Sequence, residues 1–473
     1  MRILPILHPL NAAVRVPGSK SLTNRALLVA ALANGQTRLV NALFSDDSRY
    51  FAQALQTLGF DVQLDEAASE MTVTGLGGKI PAKKAELFIG NAGTAARFLS
   101  AFLTLGSGEY ILDGDARMRE RPIGDLVESL SHLGCSIRPV KQEDDRPLTA
   151  DHRPPSMVHG QISPPLKIIA SGLPGGKTKI AGSISSQFLS ALLMVAPYAR
   201  TPIEIELTTD LNSKPYVDMT LAVMRDFGVE VKRSGYQSFS VPITTYQLPI
   251  PNLQSLSAAS PGLKLSPSNY TIESDASAAS YFFAAPAICG GTVKVKNISR
   301  NSKQGDIAFL DILQKMGCTV TESDNSIMVH RPSSIAGLDI NMRDIPDTAQ
   351  TLAAIAPFAA SPTRIRGIAS ARLKETDRIH AACTELGRLG VRVEEHEDGM
   401  TIYPVETMRP AVIQTYNDHR MAMAFSLIGL RFDGVTIENP SCVSKTFPDN
   451  FTKIRSRRRP RRRGRRHEQE FVF

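Results

Sequence analysis

The chain contains no tryptophan, few aromatic residues and only five cysteines among its 473 residues. The cysteines are far apart and form no CxxC pair, which argues against a zinc site or a disulfide framework. The nine histidines are equally scattered and include no HExxH motif. The sequence therefore disfavours metal-dependent and disulfide-stapled classes of protein.

Long apolar runs are also missing. A membrane helix needs about 18 consecutive apolar residues, and the longest candidate, residues 26–32, is far shorter. The first residues, MRILPILHPL, lack the apolar core of a signal peptide and the Arg/Ser-rich composition of a transit peptide. We expect a cytoplasmic protein with no membrane partner.

Nucleotide-binding motifs are absent, although one segment imitates a phosphate loop. SGLPGGKTKI (171–180) contains GGKT, but Gly172 and Gly176 enclose three residues where the motif requires four. Thr178 also leads into a strand-like stretch rather than a helix. No GxGxxG segment follows a strand, so the sequence gives no support for an ATP or a dinucleotide site.

Positive charge is concentrated at the C-terminus. The formal net charge is +8, yet IRSRRRPRRRGRRHEQEFVF (454–473) alone carries nine Arg and two Glu. Such a tail can bind nucleic acid or another anionic surface. Because the rest of the chain has no nucleic-acid motif, we interpret the tail as a disordered extension or a reading-frame artefact. We expect no nucleic-acid partner.

Internal repetition dominates what the sequence does contain. Apolar helices that open on small or polar residues begin near Ser21, Gly93, Ser186, Ala276, Thr348 and Arg420, at intervals of 72 to 93 residues. These helices are apolar nearly all round, which predicts burial. A strand-like stretch follows each one, and in five cases a helix that ends in glycine and a second strand come next. The pattern predicts six copies of one α/β unit, three in each of two domains, with residues 242–270 leading to the crossing between them.

The repeated helix starts suggest anion binding. The first N–H groups of a helix lack internal partners and the helix dipole makes that end positive. These starts carry the cations Lys20, Arg25, Arg97 and Arg420. The polar residues beside them are Ser21, Thr23, Asn91, Thr94, Ser185, Ser186 and Gln187. Helix capping would explain one such start, but six repeated starts favour small substrates with several negative charges.

Loops after the repeat strands add further charge. Their basic residues are Arg119, Arg121, Lys214, Lys303, Lys374, Arg378 and Lys445. Glu375 and Asp377 lie among them, and Asp347 lies on a helix start. Acids inside a basic cluster are candidates for proton transfer, with an ion-pair network as the alternative. Glu375 is the better candidate of the adjacent pair, because KETDR (374–378) also fits a capping box with Thr376 as the cap and Asp377 in the first turn.

Eleven segments then carry a resemblance to a known family. They are PGSKSLTNRALL, GNAGTAARF, RERPIGDL, SISSQFLSALLM, SKPYVDMT, ESDASAASYF, NSKQGD, IPDTAQTLA, RLKETDRI, YNDHRMAMAFSL and SKTFPDNF. In this order they resemble the EPSP synthase family of enolpyruvyl transferases. The resemblance implies an α/β fold of two similar domains, each built from three βαβαββ repeats with buried helices, known as an inside-out α/β barrel. Its pattern places the first domain at 20–272 and the second at 1–19 plus 273–453.

The resemblance also implies an activity. Members transfer the enolpyruvyl group of phosphoenolpyruvate to the 5-hydroxyl of shikimate 3-phosphate, through a tetrahedral intermediate and with domain closure, and release phosphate. The reaction belongs to the shikimate pathway and needs no metal or organic cofactor. The alternative is the sister family that uses UDP-N-acetylglucosamine and usually carries a reactive Cys in the loop after the second helix start. Residues 91–134 contain no Cys, which favours the shikimate substrate.

Family motifs assign the site residue by residue. Ligands of shikimate 3-phosphate are implied at Lys20, Ser21, Arg25, Ser185, Ser186, Gln187, Ser213, Tyr216, Asp347, Ser370 and Lys374. Ligands of phosphoenolpyruvate are implied at Lys20, Asn91, Gly93, Thr94, Arg121, Gln187, Arg378, Arg420 and Lys445. Catalytic roles are implied at Lys20, Asp347, Glu375 and His419. Asp347 would accept the 5-hydroxyl proton, while Glu375 and Lys20 would move protons at the methylene and the leaving phosphate.

Three positions bear on how closely the chain follows its family. Ser370 stands where many members have Asn, which predicts a shortened or water-mediated contact to the first substrate. Phe98 stands where many members have Pro and changes the setting of the helix that begins at Gly93. Gly93 is the small residue expected of members that glyphosate inhibits, so we expect glyphosate to bind, with Phe98 as a modifying feature. We also expect a monomer.

Overall fold

A computed structural model describes residues 1–140, 162–248, 268–331 and 333–447 of the chain. The Arg-rich tail and residues 249–267 of the long loop lie outside these described residues, so the interpretation of the tail stays a prediction. Within the described ranges the helices are α1 (Lys20–Leu32), α2 (Asp46–Thr57), α3 (Gly93–Leu103), α4 (Gly124–His132), α5 (Ser186–Val195), α6 (Lys214–Asp226), α7 (Ala276–Cys289), α8 (Phe309–Lys315), α9 (Ala349–Ile355), α10 (Arg378–Arg388) and α11 (His419–Gly429).

The strands alternate with these helices. They are β1 (Leu10–Arg15), β2 (Asn34–Val40), β3 (Asp61–Asp65), β4 (Glu70–Leu76), β5 (Lys84–Phe88), β6 (Ser107–Asp113), β7 (Ser136–Pro139), β8 (Leu166–Ser171), β9 (Gly176–Ile180), β10 (Ile203–Leu207), β11 (Lys232–Ser234), β12 (Ser238–Val241), β13 (Ser268–Thr271), β14 (Gly291–Lys296), β15 (Thr319–Ser323), β16 (Ser326–His330), β17 (Asp339–Asn341), β18 (Thr363–Arg366), β19 (Val393–His396), β20 (Gly399–Ile402), β21 (Ala411–Ile413) and β22 (Val435–Ile437). All six predicted helix starts and the six strands that follow them are confirmed.

The chain forms two compact units. The first unit is Gly18–Ile272, and the second unit combines Met1–Pro17 with Glu273–Phe473. The described part of the first unit contains the sheets β13-β2-β4-β3, β5-β6-β8-β7 and β11-β12-β10-β9. The described part of the second unit contains β1-β14-β16-β15, β17-β18-β20-β19 and the two-stranded sheet β21-β22. The sixth repeat is therefore reduced, in agreement with the sequence pattern, which shows the second helix and strand in only five repeats.

Each four-stranded sheet joins one parallel pair to antiparallel neighbours, and the two-stranded sheet is a parallel pair alone. In β5-α3-β6, β9-α5-β10, β17-α9-β18 and β21-α11-β22 the two strands around the helix pair in parallel. A parallel pair needs such a crossover, and the helix then covers one face of its sheet. The turn from each first strand into its helix thereby presents the helix N-terminus, which is where the anion-binding side chains were predicted.

The remaining two repeats exchange their first strands. Strand β1 precedes α1 in the chain but pairs in parallel with β14, which follows α7. Strand β13 precedes α7 but pairs in parallel with β2, which follows α1. Each unit thus receives one strand from a distant part of the chain, and the two passages of the backbone between the units fall at 17–18 and 272–273.

Buried helices form the cores of both units. Helices α3, α7, α9 and α11 are buried at every position, and α1 at every position except Ser21. A helix that is apolar all round must be covered on all sides. The strands instead alternate buried and exposed side chains, as β5 does, so the sheets form the outer layer. The predicted α/β fold with buried helices is confirmed, with the described sheets remaining separate rather than closing into barrels.

Gly75 of β4 provides a test of this packing. A Cβ atom at Gly75 would lie 2.1 Å from the Ala30 carbonyl oxygen and 2.3 Å from that of Ala33, both on the backbone that ends α1. Gly75→Ala should therefore lower the free energy of unfolding by about 1–3 kcal/mol through overpacking, measured by denaturant unfolding. In the matched control Gly387→Ala the new Cβ in α10 meets no atom within 4 Å. Equal destabilisation by both changes would contradict the packing described.

Candidate functional site

The start of α1 combines a cap with a buried cation. Ser19 caps the helix by accepting a hydrogen bond from the backbone nitrogen of Leu22 at 3.4 Å. Lys20 is 9% exposed, and its Nζ lies 3.5 Å from Oδ2 of Asp47 at the start of α2. A lysine held there by one carboxylate keeps a defined position and donors for a further anion.

Arg25 lies one turn further along α1 and is fully buried. Its Nε donates to Thr220 Oγ1 at 2.8 Å, Nη1 to the Ser21 carbonyl at 2.9 Å and Nη2 to the Tyr216 carbonyl at 3.1 Å. Among the described residues no carboxylate pairs with it, and burial lowers the pKa of Arg25 to about 10. An uncompensated buried charge is costly, so an anionic ligand would offset it.

The start of α3 lies beneath a second guanidinium. Ala92 at its N-cap offers no side-chain acceptor to the first backbone N–H groups of α3. Arg121 Nη1 donates to Asn91 Oδ1 at 3.0 Å, and a Cβ on Gly93 would lie only 2.4 Å from Arg121 Nη2. Arg97 instead donates to the Gly93 and Pro122 carbonyls, so Arg121 is the arginine that covers this helix start.

Two further helix starts in the first unit, those of α5 and α6, carry predicted ligands. Ser185 caps α5 by accepting from the Gln187 nitrogen at 3.3 Å, and Gln187 Nε2 donates to Thr94 Oγ1 at 3.3 Å. This contact joins the starts of α5 and α3. Ser213 precedes α6 with a left-handed φ of 56°, and Tyr216 in that helix is 9% exposed. The structure therefore brings the predicted ligands Thr94 and Gln187 together.

Asn24 is a buried polar residue that the sequence analysis did not assign to the site. It is fully buried in α1, and among the described residues neither its Oδ1 nor its Nδ2 has a hydrogen-bond partner. Buried amides are normally satisfied, and each unmet group costs about 1–3 kcal/mol. The feature of the sequence that could have drawn attention to Asn24 is its position directly before Arg25 in the LTNRALL segment.

Arg378 is the centre of the charged cluster in the second unit. Its Nε lies 2.7 Å from Asp418 Oδ2, its Nη1 3.0 Å from Asp347 Oδ1 and its Nη2 2.7 Å from Glu375 Oε2. The Arg378 side chain is only 2% exposed. Asp418, which the sequence analysis did not single out, is fully buried and also caps α11 through the Arg420 nitrogen at 2.8 Å.

Three more cations surround the same acids. Arg420 Nη2 lies 2.9 Å from Asp347 Oδ2, and Lys374 Nζ lies 3.8 Å from Asp347 Oδ1. Lys445 Nζ lies 3.1 Å from Glu375 Oε1. The structure thus gathers the predicted Asp347, Glu375, Lys374, Arg378, Arg420 and Lys445 in one cluster. The ion-pair network that was the alternative interpretation is thus observed, and proton transfer by the same acids stays a prediction.

Electrostatics keep Asp347 ionised. Burial would raise the pKa of Asp347, but Arg420, Lys374 and Arg378 together hold it well below its usual value. Desolvation likewise opposes the charge of Arg378, whereas Asp418, Glu375 and Asp347 raise the pKa of this guanidinium above its ordinary value. Asp347 can become an effective proton acceptor only when some of these cations turn to other anions.

The remaining predicted residues occupy varied positions around the cluster. His419 is fully buried, with Nδ1 3.7 Å from Asp418 Oδ1, and Ser370 is half-buried in a short 3-10 helix. Asp377 caps α10 by accepting from the Ile379 and His380 nitrogens at 3.1 and 3.0 Å. The expectation that Thr376 caps this helix was wrong, because the carboxylate one residue later reaches both free N–H groups.

Tyr281 in α7 is another residue that sequence reasoning missed. Its hydroxyl is buried and has no hydrogen-bond partner within the described part of the chain. Burial raises the pKa of Tyr281 to about 12, while the nearby Arg420 acts in the opposite direction. A buried tyrosine normally satisfies its hydroxyl, and the apolar YFFAAPAI context gave no sign of this polar group near Arg420.

No group of three or more His, Cys, Asp or Glu side chains in the described ranges is arranged to hold a metal ion. In the same ranges no helix combines the length and the apolar composition needed to cross a membrane.

The fold and the cation-rich helix starts define an α/β class built from repeated βαβαββ units and suited to anionic ligands. The family model of EPSP synthase (3-phosphoshikimate 1-carboxyvinyltransferase) matches residues 5–454. A 3-phosphoshikimate 1-carboxyvinyltransferase of Trichormus variabilis is 46% identical over 452 residues, covering 95% of this chain and 97% of the relative. One of Shewanella denitrificans is 46% identical over 447 residues, covering 94% and 96%. The chain belongs to the EPSP synthase family.

A solved structure supports the same assignment. The EPSP synthase of Acinetobacter baumannii superposes with a TM-score of 0.72 at 25% sequence identity, covering 95% of this chain and 96% of that protein. The α/β architecture inferred from the repeats is thus found in an experimentally determined member of the family.

Asp347→Asn tests the charged cluster through pH. Because the folded pKa of Asp347 is lower than its unfolded value of about 3.9, the charge stabilises the fold at higher pH and this contribution is lost as pH falls through the folded pKa. Between pH 5 and 8 the free energy of unfolding of the variant should be about 3 kcal/mol lower than that of the wild type. The difference should shrink below about pH 4. Denaturant unfolding across pH measures it, and a difference that grows with acidity would contradict the account.

Proposed function

We propose that the chain transfers the enolpyruvyl group of phosphoenolpyruvate to the 5-hydroxyl of shikimate 3-phosphate and releases phosphate, as a step of the shikimate pathway. The observation that carries this proposal is the buried Arg25, which no acid compensates among the described residues. Both substrates supply a phosphate and a carboxylate, and arginine pairs with either group through two parallel hydrogen bonds.

Shikimate 3-phosphate is assigned chiefly to the first unit. Its proposed ligands there are Lys20, Ser21, Arg25, Ser185, Ser186, Gln187, Ser213 and Tyr216, with Asp347, Ser370 and Lys374 contributed by the second unit. Support comes from the hydrogen bonds that Arg25 makes to the Ser21 and Tyr216 carbonyls, since they tie three of these residues into one arrangement.

Phosphoenolpyruvate is assigned to cations of both units. Its proposed ligands are Lys20, Asn91, Gly93, Thr94, Arg121, Gln187, Arg378, Arg420 and Lys445. Asn91 positions Arg121 over the start of α3, where the unpaired N–H groups and the guanidinium would act on the same anion. Domain closure, which the family resemblance implies, stays a prediction.

The proposed chemistry uses the acids of the second unit once substrates have bound. Anionic substrates would draw Arg420 and Lys374 away from Asp347, and its pKa would rise until the carboxylate could accept the 5-hydroxyl proton. Glu375 and Lys20 would then move protons at the methylene carbon and the leaving phosphate. Elimination of phosphate from the tetrahedral intermediate completes the reaction. We assign His419 a supporting place beside Asp418.

A phosphate-release assay tests the proposed function. The full chain, given phosphoenolpyruvate, should release phosphate with shikimate 3-phosphate and none with UDP-N-acetylglucosamine. A chain lacking residues 454–473 should keep this activity, because no proposed ligand lies in the tail. Release with UDP-N-acetylglucosamine alone would assign the chain to the sister activity instead.

Glu375→Gln tests the proton-transfer role. The amide is nearly isosteric and keeps an acceptor for the Arg378 contact, but it cannot carry a proton between substrate atoms. We expect a folded variant whose kcat falls at least a hundredfold, within the usual contribution of general acid–base catalysis. Steady-state phosphate release with circular dichroism as the folding control measures it, and near-normal turnover would refute the assignment.

Glyphosate binding is proposed on the same geometry. A side chain at Gly93 would collide with Arg121. Glyphosate should bind beside this arginine, as phosphoenolpyruvate is proposed to do, and the two should therefore compete. Gly93→Ala would push the flexible guanidinium aside, and we expect both the KM for phosphoenolpyruvate and the inhibition constant for glyphosate to rise. Phe98 beside Arg25 modifies this setting. Unchanged inhibition of the variant by glyphosate in a phosphate-release assay would contradict the proposal.

The chain is further proposed to be a cytoplasmic monomer. All proposed ligands come from one chain, so the chemistry requires no second copy. Light scattering coupled to gel filtration at assay concentration should give a mass near 51.4 kDa, and a mass twice as large would contradict the monomer.

A further inference from the structure

The turn that leads into α11 is strained. Tyr416 and Asn417 both adopt left-handed backbone angles, with φ of 52° and 54°. The Asp418 nitrogen donates to the Thr415 carbonyl at 2.8 Å and closes a four-residue turn of the mirror-image kind. Glycine is favoured at such positions and asparagine is tolerated there, whereas a bulky residue such as Tyr416 is strained. Some contact outside the turn must hold it in place.

Glu385 of α10 supplies that contact. This carboxylate is fully buried. The Tyr416 hydroxyl donates to its Oε1 at 2.7 Å, and the Gln414 backbone nitrogen donates to its Oε2 at 3.1 Å. Burial, together with hydrogen bonding to Glu385, raises the pKa of Tyr416 to about 12, so the phenol remains a donor at neutral pH. One carboxylate thus clamps both the entry to the turn and its first left-handed residue.

The turn positions Asp418, which forms an ion pair with Arg378 in the charged cluster of the second unit. Asp418 directly follows Asn417, pairs with Arg378 at 2.7 Å and caps α11 at the Arg420 nitrogen. Arg378 and Glu385 are seven residues apart, about two turns of the same helix. Helix α10 therefore holds Arg378 at its start and, through Glu385, holds the carboxylate that orients Arg378.

We propose that Glu385 is a positioning residue for phosphoenolpyruvate, acting through Tyr416 and Asp418 on Arg378 and Arg420. The inference rests on the proposed function, which assigns these two arginines to that substrate. It adds two residues, Glu385 and Tyr416, that contact no substrate and that the family motifs did not assign.

Tyr416→Phe and Glu385→Gln test the inference in the full chain. The first change removes only the hydroxyl. The second removes the charge that also pairs with Arg388 Nη1 at 3.5 Å and leaves a single acceptor oxygen for the Tyr416 and Gln414 donors. Each should raise the KM for phosphoenolpyruvate about tenfold in phosphate-release assays and leave the KM for shikimate 3-phosphate within twofold. Asn417→Gly added to Glu385→Gln should restore most of the lost affinity, because glycine adopts the left-handed conformation without strain.

Tyr403→Phe is the matched control. The Tyr403 hydroxyl also donates to a glutamate, Glu394 Oε1 at 2.9 Å, but in a half-buried pair of the same unit rather than to a fully buried carboxylate. It should leave both KM values unchanged.

Two results would overturn the inference while the proposed function stands. One is an active wild type with an unchanged KM for phosphoenolpyruvate in both variants. The other is an equal rise in both KM values that follows the loss of thermal stability, which would indicate a purely structural role. A wild type that releases no phosphate would refute the proposed function and the inference with it.

Discussion

Burial of guanidinium charge is the constraint on which both units depend. Arginine does not escape burial by losing its proton, since its pKa stays far above neutral even when desolvation lowers it. Each buried arginine must therefore find carboxylates, backbone carbonyls or a ligand. The first unit surrounds Arg25 with a hydroxyl and two carbonyls, whereas the second unit surrounds Arg378 with three carboxylates.

These two solutions have different consequences for ligand binding. Carbonyls and hydroxyls orient Arg25, and within the described ranges no carboxylate compensates its charge, so the first unit can take an anion there without breaking a described ion pair. Arg378 and Arg420 are already neutralised by Asp347 and its neighbours. An anion that binds there competes with carboxylates and, by drawing cations away, changes the basicity of Asp347. Binding and proton transfer are thereby linked in the second unit.

Much of this organisation could be predicted from the sequence because it is local. Helix starts and the strands after them follow from apolar periodicity and from small polar residues at the caps, and all six repeats were located in this way. The cap of α10 was misplaced by one residue, since Thr376 and Asp377 both fit the pattern and only the backbone geometry decides between them. The shortened sixth sheet corresponds to the one repeat in which the sequence shows no helix ending in glycine and no second strand after the first.

Long-range relationships were harder to predict. The exchange of β1 and β13 between repeats joins strands more than two hundred residues apart, and the residues alone placed only the approximate crossing. Asp418, Tyr281 and Glu385 lie in motifs or apolar runs that look ordinary until distant helices pack beside them. Their importance comes from burial and from partners brought by other segments, which periodicity does not encode.

The central claim is that Arg25 is held ready for an anionic substrate, and thermal unfolding with shikimate 3-phosphate alone tests it most directly. The substrate should raise the unfolding temperature of the wild type, because a ligand that binds only the folded state stabilises it. In Arg25→Gln the shift should be lost, while Arg233→Gln, which removes an exposed arginine of the same unit, should keep it. An undiminished shift in Arg25→Gln would contradict the account.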